Sequence, residues 1–169
     1  MVDLAVMPSS EDGLDRTDMD AFCLLEGSRN GNPEGIGFWG LVAEDFRIHR
    51  HDILSQGFWA LFWHRFGNWR MSVPTKLLRL PLKILYFAGY KSCQWFGGIE
   101  LSYNTKVGRR VRIEHFGSMV LIAREIGDDV TIRHNTTFGI SGLDRMGAYP
   151  VIGNGVEIGV GSVILGGIH

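Results

Sequence analysis

The sequence predicts an α+β chain, an N-terminal helical segment followed by a parallel β-helix of hexapeptide repeats. Three observations carry this reading. First, Val107, Ile113, Val120 (after a one-residue slip), Ile126, Ile132 and Phe138 recur in sixes, and Ile152, Ile158 and Ile164 resume the count. Gly follows at Gly108, Gly127, Gly139, Gly153 and Gly159. Such an aliphatic-Gly repeat is the signature of a solenoid whose coils bury a core only by stacking on one another. Each six residues supply a short strand and a tight corner, and the Gly is expected to turn the backbone with φ > 0. Second, Phe58, Trp59, Phe62, Trp63, Phe66 and Trp69 recur at helical spacing. Third, Gly97-Gly98 breaks the helical pattern just where Ile99 opens the repeat.

The elements follow in order. Residues 1–34 are rich in Asp, Ser, Gly and Asn without a sustained period. They read as a mostly disordered acidic segment, with at most a helical turn near Met19 to Leu25. Residues 35–98 form the helical domain. A first helix is expected over Phe38 to Arg47 and a second over Gln56 to Arg70. The aromatic side of the second reads as core or subunit contact, with His64, Arg65 and Asn68 on the opposite, solvated side. Lys76 to Phe96 is long and apolar, but Lys76, Arg79, Lys83 and Lys91 interrupt it, so it does not read as a membrane span. Pro81 suits an early turn or a kink. Its faces are assigned to packing beneath the first coil or to an oligomer contact, in preference to a peripheral contact with an anionic membrane surface. Residues 99–169 form the repeat. Gly166-Gly167-Ile168-His169 reads as the entry to another coil, so the repeat is expected to be cut short at the C-terminus.

Composition narrows the function classes. The formal net charge is −1, which argues against binding driven by phosphate neutralisation in a nucleic acid. The charge is uneven: residues 1–34 are acidic, 35–98 basic and the repeat balanced. The 23 glycines are about twice the usual share of about 7%, and the repeat accounts for much of the excess. Cys23 and Cys93 stand far apart, with no C-x-x-C and no signal peptide, so reduced thiols in a cytoplasmic protein are expected.

Insertions into a solenoid become loops on one face, and that is where chemistry is sought. The first interruption is Glu114-His115-Phe116-Gly117-Ser118, and the second is Ser141 to Pro150, with Asp144-Arg145 inside it. His134 also sits at an outward corner and reads as solvated.

The residues resemble a known family. Residues 43–169 are similar to the serine O-acetyltransferases of the hexapeptide-repeat acyltransferase superfamily. The likeness rests on Glu44-Asp45, on Gly57-Phe58-Trp59-Ala60-Leu61-Phe62-Trp63-His64-Arg65, and on Gly98-Ile99-Glu100. It continues through Val107-Gly108-Arg109, Glu114-His115, Thr137-Phe138-Gly139, Asp144-Arg145 and Pro150-Val151-Ile152. The resemblance implies a left-handed parallel β-helix, homotrimers or dimers of trimers, and active sites between neighbouring subunits. It implies His115 as the base that takes the acceptor hydroxyl's proton, with Glu100 in the place of the family's second acid. It implies Glu114 and Arg145 as substrate contacts and acetyl-CoA as co-substrate, with no metal. A hydroxyl needs a base near pKa 7, and a carboxylate partner fixes the imidazole tautomer. Two departures touch the acceptor side. Met146 stands where the family has a His, and Leu101-Ser102-Tyr103 where it has His-Pro. Met cannot donate a hydrogen bond. L-Serine is the leading acceptor in this reading. A sugar hydroxyl of a surface polysaccharide is the second candidate, and a non-catalytic subunit of a mixed assembly the third.

Overall fold

The computed structural model describes residues 29–142 and 147–169. Leu143 to Met146, and with them Arg145, lie outside the described residues, as do Cys23 and most of the acidic segment. Among the described residues, helices α1 (Phe38–Ile48), α2 (Gln56–Trp69) and α3 (Lys76–Ser92) come first. A 3-10 turn at Arg70–Ser72 joins α2 to the approach to α3. Ser55 caps α2 by accepting from the Phe58 N–H at 3.3 Å, satisfying one of the orphan donors of the first turn. After α3 the chain widens into a π turn at Cys93–Gly97 and leaves through Gly98 at φ +61°. Only a residue tolerant of the left-handed region suits that exit, and Gly does so without a Cβ penalty.

Ten short strands follow among the described residues, β1 (Ile99–Glu100) to β10 (Val163–Leu165). Every third strand pairs in parallel: β1-β4-β7-β10, β2-β5-β8 and β3-β6-β9 form three sheets. This is the three-faced coil of a β-helix. Lys106 pairs with Glu125 and Arg112 with Thr131, whereas Glu125 pairs with Val151 and Thr131 with Glu157. The longer second interval falls between β7 and β8, and the parallel pairing continues on its far side. Ile99, Val107, Ile113, Ile126, Ile132 and Phe138 are buried along the axis. The Cys93 thiol is free and half-buried, and burial pushes it up to about 11, so it stays protonated.

Two details of the repeat differ from the sequence reading. Val120 is half-buried and points outward, while Met119 and Leu121 on either side are buried. Met119 stacks on Ile99 and Leu121 on Phe138. The preceding corner takes His115, Gly117 and Ser118 through positive φ. The chain therefore enters β4 one residue out of phase, and strand alternation sends Val120 out. The repeat glycines also serve another purpose. Positive φ falls instead at Arg110, Asp129, Gly155 and Gly161, two residues after Gly108, Gly127, Gly153 and Gly159. A Cβ on Gly108 would lie 2.6 Å from the Gly127 carbonyl carbon, and one on Gly127 2.9 Å from the Asn154 nitrogen. Those two glycines allow coil to approach coil.

The helical domain is seated by polar groups. His64, Arg65 and Asn68, expected in solvent, are buried against the solenoid. The reason is hydrogen bonding. The first coil's chain presents carbonyl groups toward α2, and those acceptors need donors. Arg65 donates to the Val107 and Gly108 carbonyls at 2.8 and 2.6 Å, and its Nε meets Asp45 of α1 at 3.0 Å. His64 Nε2 lies 2.8 Å from the Thr105 carbonyl, and Asn68 donates to Tyr103 at 3.1 Å. His49 accepts from the Ile113 N–H at 3.2 Å. On the rim, Glu44 and Arg109 form a two-pronged ion pair. Behind α2, Arg70 lies over the Tyr86 and Tyr103 rings at 5.0 and 4.8 Å.

Two outcomes are expected. Arg65→Ala leaves Asp45 buried and unpaired, and should cost about 3–5 kcal/mol of unfolding free energy. Removing the exposed Lys106–Glu125 pair through Lys106→Ala should cost no more than about 1 kcal/mol. Urea unfolding of both variants measures the contrast, and equal losses would contradict the assigned role of Arg65. The second outcome concerns pH. Burial pushes the His64 imidazole down to about 3, and burial lowers His49 as well. The unfolded chain takes up a proton at His64 below about pH 6.5, and the folded chain does not until about pH 3. Stability should therefore fall as pH drops through that window, by about 1.4 kcal/mol per unit for His64 alone. Urea midpoints at pH 7 and 5 should separate in the parent chain and draw together in His64→Gln.

Candidate active site

The site builds on the corner between β3 (Arg112–Glu114) and β4 (Met119–Leu121). His115 leaves β3 at φ +66° with its side chain exposed. The left-handed backbone points the imidazole away from the stack, at a position where a non-Gly residue is uncommon. The corner is anchored from below, since the Gly117 N–H donates to Gly97 at 3.0 Å and Met119 to Gly98 at 2.8 Å. A cavity of about 290 Å³ opens beside it, lined by His49, Arg50, Asp52, Ser55, Glu114 and His115 among others.

One coil on, β6 (Thr131–Arg133) brings His134 against His115. The rings meet edge to face, 5.4 Å between centroids and 88° between planes. His134 is half-buried and its Nδ1 is buried without a hydrogen-bond partner among the described residues. The sequence placed His134 in solvent. Its true position follows from the pairing of Glu114 with Arg133 in the ladder, which sets the next residues of both coils side by side. A coil length of 19 residues here, readable only once the register is known, was the missing signal.

Glu114 sits in a run of alternating charge. Arg112 lies 3.2 Å and Arg133 3.5 Å from its two oxygens, and Arg133 continues to Glu157 at 3.3 Å. Glu100, on β1, faces a different depression, shared with Lys91, Gln94, Ser118 and Val120. Its carboxylate accepts from the Tyr90 hydroxyl at 3.1 Å, and Tyr90 accepts from Gln94 at 3.0 Å. Burial and the Glu100 charge push the Tyr90 hydroxyl well above its ordinary value, so it stays a donor. Among the described residues no hydrogen bond joins Glu100 to His115. The two flank the same corner, where Gly97-Gly98 supports Gly117-Ser118. The structure thus brings His115, Glu114, Arg133 and His134 together, places Glu100 on the adjoining face, and does not describe Arg145. Among the described residues no group of three or more His, Cys, Asp or Glu could hold a metal ion.

The corner offers an exposed imidazole, a second imidazole behind it and a carboxylate restrained by two guanidinium groups. Such a set can take a proton from a neutral acceptor at a solvent-facing cleft.

No family model matches the chain. It is 43% identical over 108 residues to the putative colanic acid biosynthesis acetyltransferase WcaB of Escherichia coli K12, a match covering 62% of this chain and 64% of that protein. It is 42% identical over 72 residues to the serine acetyltransferase of Helicobacter pylori, 42% of each chain. Its fold matches that of a serine acetyltransferase solved in complex with CoA, with a TM-score of 0.57 at 20% identity over 89% of this chain and 60% of that one. The chain spans less than two thirds of the length of each. The chain, with its six-residue repeat, is similar to serine acetyltransferases and to a putative colanic acid biosynthesis acetyltransferase.

Proposed function

We propose that the chain transfers the acetyl group of acetyl-CoA to a hydroxyl of a sugar in a surface polysaccharide, with His115 as general base. The observation that carries the reading is the exposed His115 at the β3–β4 corner, backed by His134 at 5.4 Å. Two relatives named for different acceptors are both acetyltransferases, so acetyl transfer is the part of the chemistry they have in common. In the proposed step the acceptor O–H gives its proton to His115 and the oxygen attacks the thioester carbonyl. The C–O bond forms, the C–S bond breaks, and CoA leaves as the thiol with the proton that His115 held. Glu100 supports the corner that carries the base, with its carboxylate oriented by the Tyr90 donor. Glu114 faces the acceptor. The solenoid is taken as left-handed and the assembly as a trimer with sites between subunits, as the resemblance implies.

A sugar is preferred over L-serine for two reasons. The match to the colanic acid enzyme is 43% identical over 108 residues, while serine acetyltransferases match over similar lengths at lower identity, 40% over 102 residues and 32% over 113. Met146, moreover, stands where the serine family supplies a donor to the acceptor. The second reading, L-serine, is favoured by Arg145, whose forked donors suit a carboxylate and find no such charge on a neutral sugar.

His115→Ala should lower turnover by about 10² to 10⁴, the usual contribution of a general base. Oligomeric mass should be unchanged, because the side chain is outside the core. Thiol release from acetyl-CoA measures the first and light scattering the second. Activity that survives His115→Ala and disappears in His134→Ala would move the base to His134. For the acceptor, thiol release with hexose glycosides should exceed that with L-serine, and Arg145→Lys should leave the sugar KM within about twofold. If L-serine is the better acceptor and Arg145→Lys raises its KM about ten- to a hundredfold, the loss of a charge-assisted bond, the serine reading replaces this one.

A further inference from the structure

Among its described side chains, helix α3 buries only Tyr86 and Gly89. Tyr86 packs edge to face on Tyr103 at 5.2 Å, and Gly89 lies against Trp63, where a Cβ would overlap the indole. The opposite side of the helix is apolar and uncovered. Leu77, Leu80, Ile84 and Phe87 are all more than half exposed, and the π turn adds Trp95 and Phe96 at 77% and 82%. The sequence assigned these faces in part to packing beneath the first coil, and the structure does not pack them there. A continuous apolar face of this kind marks an interaction surface.

Its charge selects the partner. No acidic residue occurs between Asp52 and Glu100, while Lys83 and Lys91 border the exposed face. Lys83 is exposed, and Lys91 is half-exposed with its ammonium 2.7 Å from the neutral Gln94 amide oxygen. Two copies joined through this face about a two-fold axis would set cation against cation with no carboxylate of the helix between them. An anionic bilayer supplies the missing negative charge together with an apolar layer for the leucines. Trp and Phe at the end of such a helix sit well at the headgroup level. No helix among the described residues is long and apolar enough to cross a membrane, so the helix would lie on the surface.

We infer that α3 and the turn at Cys93–Gly97 form a docking surface for the anionic face of a lipid bilayer. Leu77, Leu80, Ile84, Trp95 and Phe96 enter the interface, and Lys83 and Lys91 meet the headgroups. The inference stands on this face alone and does not use the acetyl-transfer reading.

The test is co-sedimentation of the full chain with vesicles of phosphatidylcholine and phosphatidylglycerol at about three to one, and with phosphatidylcholine alone. The expected result is binding to the anionic vesicles that weakens steeply as salt rises from about 0.05 to about 0.5 M, because the Debye length shortens severalfold. Lys83→Ala should weaken partitioning about fivefold and Ile84→Glu more than about tenfold. Both should retain the parent's circular dichroism spectrum, since neither side chain is buried. Three results would overturn the inference. One is no binding to anionic vesicles. Another is equal, salt-independent binding to both compositions. The third is an Ile84→Glu variant that binds like the parent. Absence of vesicle binding, with a fall in oligomeric mass in Ile84→Glu, would assign the face to contact between copies of the chain.

Discussion

Arg65 is a full positive charge with no solvent-exposed side-chain surface, and the junction between helices and solenoid is arranged around it. One end of its guanidinium meets Asp45 on α1 and the other meets the Val107 and Gly108 carbonyls of the first coil. Three elements are thereby tied through one side chain. An isolated buried charge is very costly, so each partner must be present for the arrangement to hold. His64, Asn68 and His49 extend the same solution along the seam by meeting backbone groups of the solenoid. The seam also sets one wall of the cleft, because His49 accepts from Ile113, two residues before His115.

The corner that carries His115 is possible because of that seam and of the coil beneath. Gly97 and Gly98, at the end of the helical domain, accept the hydrogen bonds that hold Gly117 and Met119. The backbone can then stay in the left-handed region at His115 and Ser118 without fraying. A solenoid suits this use. Its repeated coils supply rigidity, and residues added at a corner are displayed on it. Stacking also brings residues of successive coils into register, which is how His134 comes to back His115 and Arg133 to face Glu114.

The periodicity of aliphatic residues was enough to read the solenoid, because the stacked positions repeat and each needs burial. Helix α2 was legible for the same reason, but its orientation was not. Helical spacing divides Gln56 to Trp69 into an aromatic face and a polar face without saying which turns inward. The polar face wins the inner position here because the carbonyls of Tyr103, Thr105, Val107 and Gly108 require donors. Trp59, Phe62, Trp63 and Trp69 remain only half-buried on the outer side. Val120 was misplaced because a corner of irregular length shifts the phase by one residue. Gly108 and Gly127 were read as turn formers, and their role is close approach. At the site, the interruption at Glu114-His115 stood out against the repeat. The partnership with His134 could not, since it depends on a register between residues 19 positions apart.

The central claim is that His115 receives the proton of the acceptor hydroxyl. The most direct measurement is a crystal structure of the chain with CoA and an acceptor glycoside bound together. The account predicts the reacting hydroxyl within hydrogen-bond reach of the His115 imidazole, about 2.6–3.2 Å between heavy atoms. It also predicts the thiol of CoA on the other side of that hydroxyl. An acceptor held at the β3–β4 corner by another titratable side chain, with His115 turned to solvent, would contradict it.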